Sequence, residues 1–258
     1  MATPKKIRVR ELNAHIEATI PDFHAARLAS LNGLKLHELL RTKNPYLFRA
    51  KNILLASELV HAFLSARLSS QEEGIFGTFL ERLAIFVAER AFGGRKSAIK
   101  GIDLEFEKDD VLHIVTIKSG PDWGNDSQIA KMRDYFRTAC RTLRTNAQVR
   151  PVVCVNGCCY GRTVTENKGD YLKLSGQSFW EFVSGDAELY RRIITPIGFR
   201  AKERNEEFAT AFAKVVNQFT KELLVDFCKL DGAIDWDKLL AFNSGRPTAK
   251  LQKKAEYN

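Results

Sequence analysis

Two short strand-like patterns that meet at an acidic turn constrain the fold of this chain more than any other feature. Residues 101–107, GIDLEFE, alternate apolar and acidic side chains, and a period of two is typical of a β-strand with one buried face. Residues 108–110, KDD, form the turn, and residues 111–118, VLHIVTIK, are rich in β-branched residues. The second run therefore predicts a returning strand, and the two runs together predict an antiparallel hairpin.

The predicted hairpin brings charged side chains onto one face. Pairing across the turn sets Asp103 nearly opposite Thr116, and Lys118 lies on the same face as Thr116, diagonal to Asp103. Asp103 and Glu105 carry the hard oxygen ligands that hold Mg²⁺, and the ammonium of Lys118 could orient the water that hydrolyses a phosphodiester. The alternative interpretation is an exposed hairpin whose outer face carries solvated charge.

Composition limits the class of protein. The chain has 258 residues, 45% of them hydrophobic, which suits one large domain or two small ones. A net charge of +9 and a pI near 9.3 favour a polyanionic partner. Five irregularly spaced cysteines favour free thiols in a reducing compartment. The sequence has neither an apolar run that could span a bilayer nor a leader pattern, so we expect a soluble, cytoplasmic protein.

Helical periodicity dominates both ends of the chain. Helices are predicted over residues 5–42, with Pro21 in a first turn, and over residues 46–68. Helical patterns recur from residue 177 onward, with a break at Pro196. These segments predict packing helices around the sheet.

One helix leads into the hairpin. It is predicted over residues 69–91, with Ser69 or Ser70 as its N-cap, and residues 97–100 are a candidate short strand. Glu81 lies in the middle of this helix among apolar neighbours. It is either a solvent-facing partner of a basic residue or an acid that enters the site.

A basic helix follows the hairpin. Residues 119–125 are rich in turn residues, and Asp126 or Ser127 is predicted to cap a helix from Gln128 to Leu143. Arginines recur along one face of this helix, which is either a solvated face or a row of phosphate contacts. The candidate DNA contacts are Arg133, Arg137, Arg141 and Arg144, the amides Asn125 and Gln128, and Tyr160 and Arg162 further along.

A buried strand is predicted next, over residues 151–156, PVVCVN. From residue 69 the order is therefore helix, two or three strands, helix and strand, which predicts an α/β core with a mixed sheet. Cys154 and Cys158 are too widely spaced for a zinc knuckle and have no nearby histidine, so their thiols are interpreted as packing groups. Residues 163–175 are predicted to form a loop that could reach DNA.

The predicted organisation is one continuous structural domain with four regions. They are an N-terminal helical region (1–68), an α/β core that carries the candidate hydrolytic site (69–162), a loop and C-terminal helical region (163–245) and a flexible basic tail (246–258).

Eight sequence blocks, in order, resemble a known family. They are KNPYLFRAKNI, LSSQEEGIFGTFLE, GIDLEFEKDD, IKSGPDWGNDSQI, VNGCCYGR, KGDY, SFWEFVSG and KERNEEF. Over nearly all of residues 11–245 the chain resembles the PmeII-type family of type II restriction endonucleases, within the PD-(D/E)xK nuclease superfamily. The resemblance implies an α/β restriction-endonuclease-like core of order αβββαβ with a mixed sheet and added N- and C-terminal helices. It also implies Mg²⁺-dependent cleavage of double-stranded DNA, a homodimer, and pairing with a DNA methyltransferase in a prokaryotic cytoplasm.

The resemblance also implies roles for site residues. It makes Asp103 a metal-binding acid and Lys118 the motif lysine, which together with Thr116 are candidate catalytic residues. The superfamily motif has Asp or Glu two residues before the lysine, where this chain has Thr116 with its neutral hydroxyl. The carbonyl oxygen of Ile117 is a further candidate metal ligand.

A second carboxylate should therefore enter the metal site from elsewhere. Glu105 shares the strand face with Asp103, but two residues along a strand separate them by about 7 Å. Glu81 arrives from a separate helix, and the resemblance assigns the acid of that helix to the site. We favour Glu81 as catalytic residue and metal ligand, with Glu105 as the alternative.

Two other functions remain open at this point. One is a DNA-binding protein with an inactive nuclease core, which the missing acid at Thr116 would explain. The other is a different Mg²⁺-dependent nuclease of the same fold, such as a repair or nicking enzyme. Cleavage of plasmid DNA into discrete bands, a smear or nothing distinguishes the three.

Overall fold

The computed structural model describes most of the chain. The described residues are 7–144, 151–162 and 165–246, with only the backbone of Arg144. The predicted flexible tail lies outside the described residues from position 247 onward. In the described ranges no helix is both long enough and apolar enough to cross a membrane.

Contacts within the chain divide it into two units. The sheet unit comprises the described residues up to Phe23 together with Glu73–Ala201, and the helical unit comprises His24–Glu72 and the described residues from Lys202. These limits do not coincide with the predicted boundaries after residues 68 and 162. The predicted division into regions stays a prediction.

Ten helices and six strands are described. The helices are α1 (Val9–Asn32), α2 (Leu36–Thr42), α3 (Pro45–Ala50), α4 (Ala56–Phe92), α5 (Asp126–Arg144), α6 (Gln177–Ser184), α7 (Leu189–Arg192), α8 (Ile194–Ile197), α9 (Ala201–Phe227) and α10 (Trp236–Ser244). The strands are β1 (Arg95–Lys96), β2 (Leu104–Lys108), β3 (Val111–Lys118), β4 (Val152–Cys158), β5 (Glu166–Asn167) and β6 (Leu172–Ser175).

The strands form one mixed sheet in the order β1-β2-β3-β4-β6-β5. The pairs β1/β2, β2/β3 and β5/β6 are antiparallel, and β3/β4 and β4/β6 are parallel. A mixed α/β architecture with extra helices fits the restriction-endonuclease-like fold that was predicted.

The β2–β3 hairpin closes over a two-residue turn. Asp109 and Asp110 have positive φ angles of 54° and 60°, the conformation that a type I′ turn requires and that Asp tolerates better than most residues. Leu104 pairs with Val115. One further step along each strand sets Asp103 opposite Thr116, which confirms their predicted proximity. Lys108, predicted to be in the turn, is instead the last residue of β2 and pairs with Val111.

Apolar side chains cover both faces of this sheet. One face packs against α1, α4 and α6 through a cluster that includes Val115. The other face packs against α5 through Ile114 and Met132. Successive residues of a strand point to opposite faces, so Thr116 and Lys118 lie on the α5 side with Ile114.

The helical unit has its own core. Helices α2, α3, α9 and α10 and the first part of α4 contribute to it, and its largest buried rings are Phe48, Phe63, Phe219 and Phe227. Two helices of this unit have side-chain caps. Asn44 Oδ1 accepts from Leu47 N at 3.3 Å at the start of α3, and Asp235 Oδ1 accepts from Lys238 N at 3.0 Å at the start of α10.

Two predicted boundaries among the early helices were wrong. Pro21 lies inside α1 and not in a first turn, because Leu12, Ile16 and Ile20 continue one fully buried stripe at a spacing of four. Ser69 and Ser70 do not cap a new helix, because α4 is continuous through them to Phe92. Apolar residues at helical spacing lie on both sides of this serine pair, and they outweigh the modest local preference of serine for caps.

Two predictions about strands were also wrong. The short strand before the hairpin is β1, at Arg95–Lys96, and not residues 97–100. The stretch 163–175 was predicted to be a loop, but it contains β5 and β6. Its strands gain their hydrogen bonds from β4 and from each other, which a search for local apolar periodicity does not detect.

Candidate active site

Asp103 lies where β2 begins and β3 ends. Its Oδ2 accepts a hydrogen bond of 2.6 Å from the backbone N–H of Ile117. Burial raises the pKa of the Asp103 carboxyl, while the Ile117 N–H and the ammonium groups of Lys118 and Lys96 act in the opposite direction. A half-buried carboxylate whose charge is poorly solvated is suited to a cation.

Glu81 reaches the same end of the sheet from α4. Burial raises the pKa of its carboxyl and the charge of Asp103 raises it further, while Lys96 and Lys118 lower it. Glu81 Oε1 lies 3.7 Å from Lys96 Nζ in an ion pair. Glu81, Asp103 and Lys118, three of the predicted site residues, are therefore within electrostatic reach of one another.

A close approach of α4 to the end of β3 explains this grouping. A Cβ atom added at Gly77 would lie only 2.7 Å from Oγ of Ser119, the residue that follows Lys118. Only glycine leaves room for this contact without a shift. Glu81 is one turn further along α4 and on the same face, so the same approach carries its carboxylate toward Asp103.

Glu105 is directed into the protein. Its side chain is only 9% exposed, and its Oε1 accepts a hydrogen bond of 2.6 Å from Arg95 Nε on β1. Its position two residues beyond Asp103 on the same strand face agrees with the predicted alternation. The negative charge of Glu105 is therefore already paired with the guanidinium of Arg95.

Thr116 is buried under α5. Thr116 is only 2% exposed. Its hydroxyl accepts a hydrogen bond from Asn156 Nδ2 at 3.2 Å and donates one to Met132 Sδ at 3.4 Å. This hydroxyl is therefore used inside the protein and does not face solvent. The side chain of Ile117 is buried on the opposite face, which leaves its backbone as the part that meets Asp103.

Two of the described carboxylates, Glu81 and Asp103, lie together at this end of the β2–β3 hairpin. In the ranges that the structure describes, no cluster of three or more His, Cys, Asp or Glu side chains could hold a metal ion. Two hard oxygen donors with raised pKa values fit a divalent cation that completes its shell with water or phosphate oxygens, as Mg²⁺ does.

The amides at the start of α5 form its cap. Asn125 Oδ1 accepts from Gln128 N at 3.1 Å, and Gln128 Oε1 accepts from Asn125 N at 3.0 Å. This reciprocal pair is a capping box. The predicted cap at Asp126 or Ser127 was therefore one or two residues too late, and both amides remain exposed at the surface.

The arginines of α5 have unequal surroundings. Arg133 is half-buried, with its Nε 3.4 Å from Asp170 Oδ2 and its guanidinium 5.7 Å from the centre of the Tyr171 ring. Arg137 and Arg141 are exposed, whereas the side chain of Arg144 lies outside the described part of the chain. Asp170 is thus a counter-charge of Arg133 that the sequence of α5 alone could not reveal, because it lies outside this helix.

A basic cleft borders these arginines. It has a volume of about 540 Å³ and is lined by residues of α5, β4, β6 and two loops. Its polar lining comprises Arg133, Arg137, Lys168, Lys173, Asn156 and Asp126. Tyr160 and Arg162 are exposed on the loop after β4 and line a different, more apolar cleft.

Three residues near the site were missed by sequence reasoning. Lys96 pairs with Glu81, Trp123 lies beside Lys118, and Asn156 binds Trp123. Trp123 was visible as the one aromatic residue in the loop that follows Lys118. Lys96 and Asn156 gave no local signal, because their partners are on other elements.

Comparison with known proteins identifies the family of this chain. A family profile described as type II restriction endonuclease EcoO109I matches residues 10–205, which is most of the chain and includes the whole sheet. No curated protein matches the chain. The profile confirms the predicted class of enzyme, a DNA hydrolase, and leaves the narrower PmeII-type assignment as a prediction. The chain belongs to the EcoO109I family of type II restriction endonucleases.

Proposed function

We propose that this chain hydrolyses phosphodiester bonds at specific sites in double-stranded DNA with Mg²⁺ as its cofactor. The observation that carries the proposal is the grouping of Glu81, Asp103 and Lys118 at one end of the β2–β3 hairpin in a member of this family. A hard cation there would offset the repulsion between the two carboxylates. Without a cation the grouping is unfavourable for the fold, because it places two poorly solvated acids together.

The residues divide the chemistry between them. Asp103 and Glu81 would hold the ion through carboxylate oxygens, and the backbone carbonyl of Ile117 is a third candidate donor. Mg²⁺, when bound, supplies a Lewis acid for a phosphoryl oxygen and lowers the pKa of a bound water. Lys118 would donate hydrogen bonds that orient the attacking water toward phosphorus. Glu105 and Thr116 are the less favoured candidates, because their side chains already have partners inside the protein.

The order of elements supports a narrower description of the fold. Helix α4 is followed by β1, β2, β3, α5 and β4, and we propose that these six elements are the αβββαβ core of a PD-(D/E)xK nuclease. The remaining helices and the pair β5–β6 would be additions to it. The blocks quoted above favour the PmeII-type branch.

DNA binding is proposed for the α5 side of the sheet unit. The exposed Arg137 and Arg141 and the basic cleft lie on this side, as does Lys118. Cations in a row suit the phosphates of a strand, whereas the loop that carries Tyr160 and Arg162 is the better candidate for contacts with base edges.

A homodimer and a methyltransferase are the proposed partners. Cutting both strands with one site per chain is most simply done by two copies related by a two-fold axis. Most of the strongly exposed large apolar side chains are in the helical unit, which supports that unit as the dimer surface. They are Tyr46, Leu47, Leu54, Leu55, Leu224, Val225 and Leu230. A DNA methyltransferase of the same specificity would protect the DNA of the prokaryotic host.

Plasmid cleavage tests the proposal. We expect purified protein with Mg²⁺ to cut plasmid DNA into discrete bands, and the fragment ends to share one sequence. A smear would indicate a non-specific nuclease, and nicked circles alone would indicate a nicking enzyme. DNA binding without any cleavage in Mg²⁺ or Mn²⁺ would leave the inactive nuclease core as the function.

A further inference from the structure

The ammonium of Lys118 lies over an indole ring. Its Nζ is 5.2 Å from the centre of the Trp123 ring, within the distance at which a cation is attracted to the face of an aromatic ring. In the described ranges no carboxylate oxygen forms an ion pair with Lys118 at 4.0 Å or less. The indole is therefore a direct neighbour of this cation.

A buried amide holds Trp123. The indole Nε1 donates to Asn156 Oδ1 at 3.1 Å, and Asn156 is only 1% exposed. An indole N–H can only donate, so this bond fixes which atom of the Asn156 amide is the oxygen. The amide Nδ2 then donates to Thr116 Oγ1 at 3.2 Å. The indole is therefore tied to the interior of the sheet.

The chain around the indole is also fixed. Lys173 Nζ donates to the backbone oxygen of Pro121 at 3.1 Å, and Tyr160 N donates to the backbone oxygen of Ser119 at 2.9 Å. Both bonds join the loop after β3 to neighbouring strands or their ends. A loop with such anchors presents the indole in one place.

We propose that Trp123 is a positioning residue for Lys118, and that Asn156 and Thr116 anchor it. The proposal rests on the proposed function, because it assigns Lys118 to the reaction. A lysine side chain has four rotatable bonds, and an aromatic face on one side restricts the positions that its ammonium can take. The indole thus acts on the rate through Lys118.

Thr116 gains a physical explanation from this arrangement. Residue 116 pairs with Asn156 in the parallel β3–β4 ladder, so its side chain is the natural support for the amide that binds Trp123. A carboxylate in its place would be buried beside Met132, at a large desolvation cost. Thr116, at the motif position two residues before Lys118, therefore helps to hold the lysine in place through Asn156 and Trp123. The second acid of the site is then Glu81.

Variants of Trp123 test the positioning role. Trp123→Leu should lower the single-turnover cleavage rate about tenfold, while Kd for DNA in Ca²⁺ without Mg²⁺ stays within about twofold. Trp123→Phe keeps an aromatic face and should retain most of the rate. Trp236→Leu, the same change in the helical unit, is the matched control and should leave the rate unchanged. Equal losses in the Phe and Leu variants would overturn the proposal.

A double-mutant cycle asks whether Trp123 acts through Lys118. In the Lys118→Ala background, Trp123→Leu should cost no further rate, because the group that it positions is gone. A further tenfold loss in that background would show that the indole acts independently. Thr116→Val should lower the rate with an unchanged Mg²⁺ requirement, whereas a raised requirement would make Thr116 a metal ligand and overturn its anchoring role.

A spectroscopic measurement needs no cleavage. Protons on the Cε of Lys118 should resonate upfield in the wild-type protein because of the indole ring current, and return to ordinary values in Trp123→Leu. Ordinary values in the wild type would refute the contact itself. A wild type that shows the shift but never cleaves DNA would defeat the proposed function and the positioning role together. If Trp123→Leu cleaved DNA as fast as the wild type, only the positioning role of Trp123 would be refuted.

Discussion

Asp103 Oδ2 and the backbone N–H of Ile117 are joined by a hydrogen bond of 2.6 Å. The carboxylate thus binds the residue just before Lys118, and it fixes the spacing between the acid and the lysine. One carboxylate oxygen is committed to the backbone, which leaves the other for a cation. The strength of a bond to a charged acceptor makes this contact part of the fold as well as of the site.

Asp103 and Lys118 are predicted to be essential for cleavage. Asp103→Asn keeps an acceptor for the Ile117 N–H, so it should fold normally and lose on the order of 10³-fold or more in rate. Lys118→Ala should lose a similar factor. Plasmid cleavage with circular dichroism as the folding check measures both effects. Glu206→Ala, an exposed carboxylate on α9, is the control. Full cleavage by either site variant would place the reaction elsewhere.

The hairpin and its register could be predicted because the controlling interactions are local. A period of two and a short acidic turn set Asp103 close to Thr116 without help from the rest of the fold. Trp123 and Asn156 are 33 residues apart, and their hydrogen bond depends on β4 lying parallel to β3. Contacts of that kind leave no pattern in sequence spacing. The paired strands β5 and β6 were missed for the same reason.

The arginines of α5 should act on affinity and not on specificity. Arg137→Ala and Arg141→Ala should each weaken DNA binding at all sequences and reduce the slope of log K against log salt by about one unit. Arg133→Ala should have a smaller effect, because Asp170 already pairs with this arginine. Binding titrations at several salt concentrations measure the slopes, with Arg191→Ala as control. Unchanged slopes would mean that α5 has a solvated basic face.

Arg162 is expected to behave differently from the α5 arginines. It is exposed on the loop after β4, beside the exposed Tyr160. If it contacts a base edge, Arg162→Ala should permit cleavage at sites altered in one position, at a cost of about 1–3 kcal/mol for the original site. Sequencing the fragment ends of wild type and variant tests this. An identical site with uniformly weaker binding would assign Arg162 to phosphate.

The protein should be a dimer that uses the helical unit. Leu54 is 66% exposed and Val225 is 74% exposed, and replacing either with Glu would put an unpaired charge into an apolar interface. We expect the variants to be monomeric at micromolar concentration and to nick plasmids more than they linearise them. Sedimentation and plasmid assays measure this, with Val9→Glu as control. A monomeric wild type with DNA present would contradict the prediction.

Glu81 and Glu105 can be separated by charge-neutral variants. Glu81→Gln should lower cleavage on the order of tenfold or more, with partial rescue by higher Mg²⁺ or by Mn²⁺, because one metal ligand is weakened. Glu105→Gln should cut at nearly the wild-type rate and lose about 1 kcal/mol of stability with its bond to Arg95. The reverse result, an inactive Glu105→Gln and an active Glu81→Gln, would put the metal site wholly on the hairpin.

In the absence of metal, the stability of the protein should depend on pH because Asp103 and Glu81 are poorly solvated. Burial raises the pKa of Asp103 above its usual 3.8 and that of Glu81 above its usual 4.5. An acid with a raised pKa in the folded state stabilises the fold below its unfolded pKa, and that stabilisation is lost as the pH rises through its folded pKa. Without divalent ions, Asp103→Asn should therefore become more stable than wild type as the pH rises from 4 toward neutrality.

At pH 8, Mg²⁺ should raise the Tm of the wild type and leave that of Asp103→Asn unchanged, because the cation compensates a charge that the variant lacks. Thermal melts with and without Mg²⁺ measure both effects, and a wild-type Tm that ignores both pH and Mg²⁺ would mean that these two carboxylates do not hold the ion.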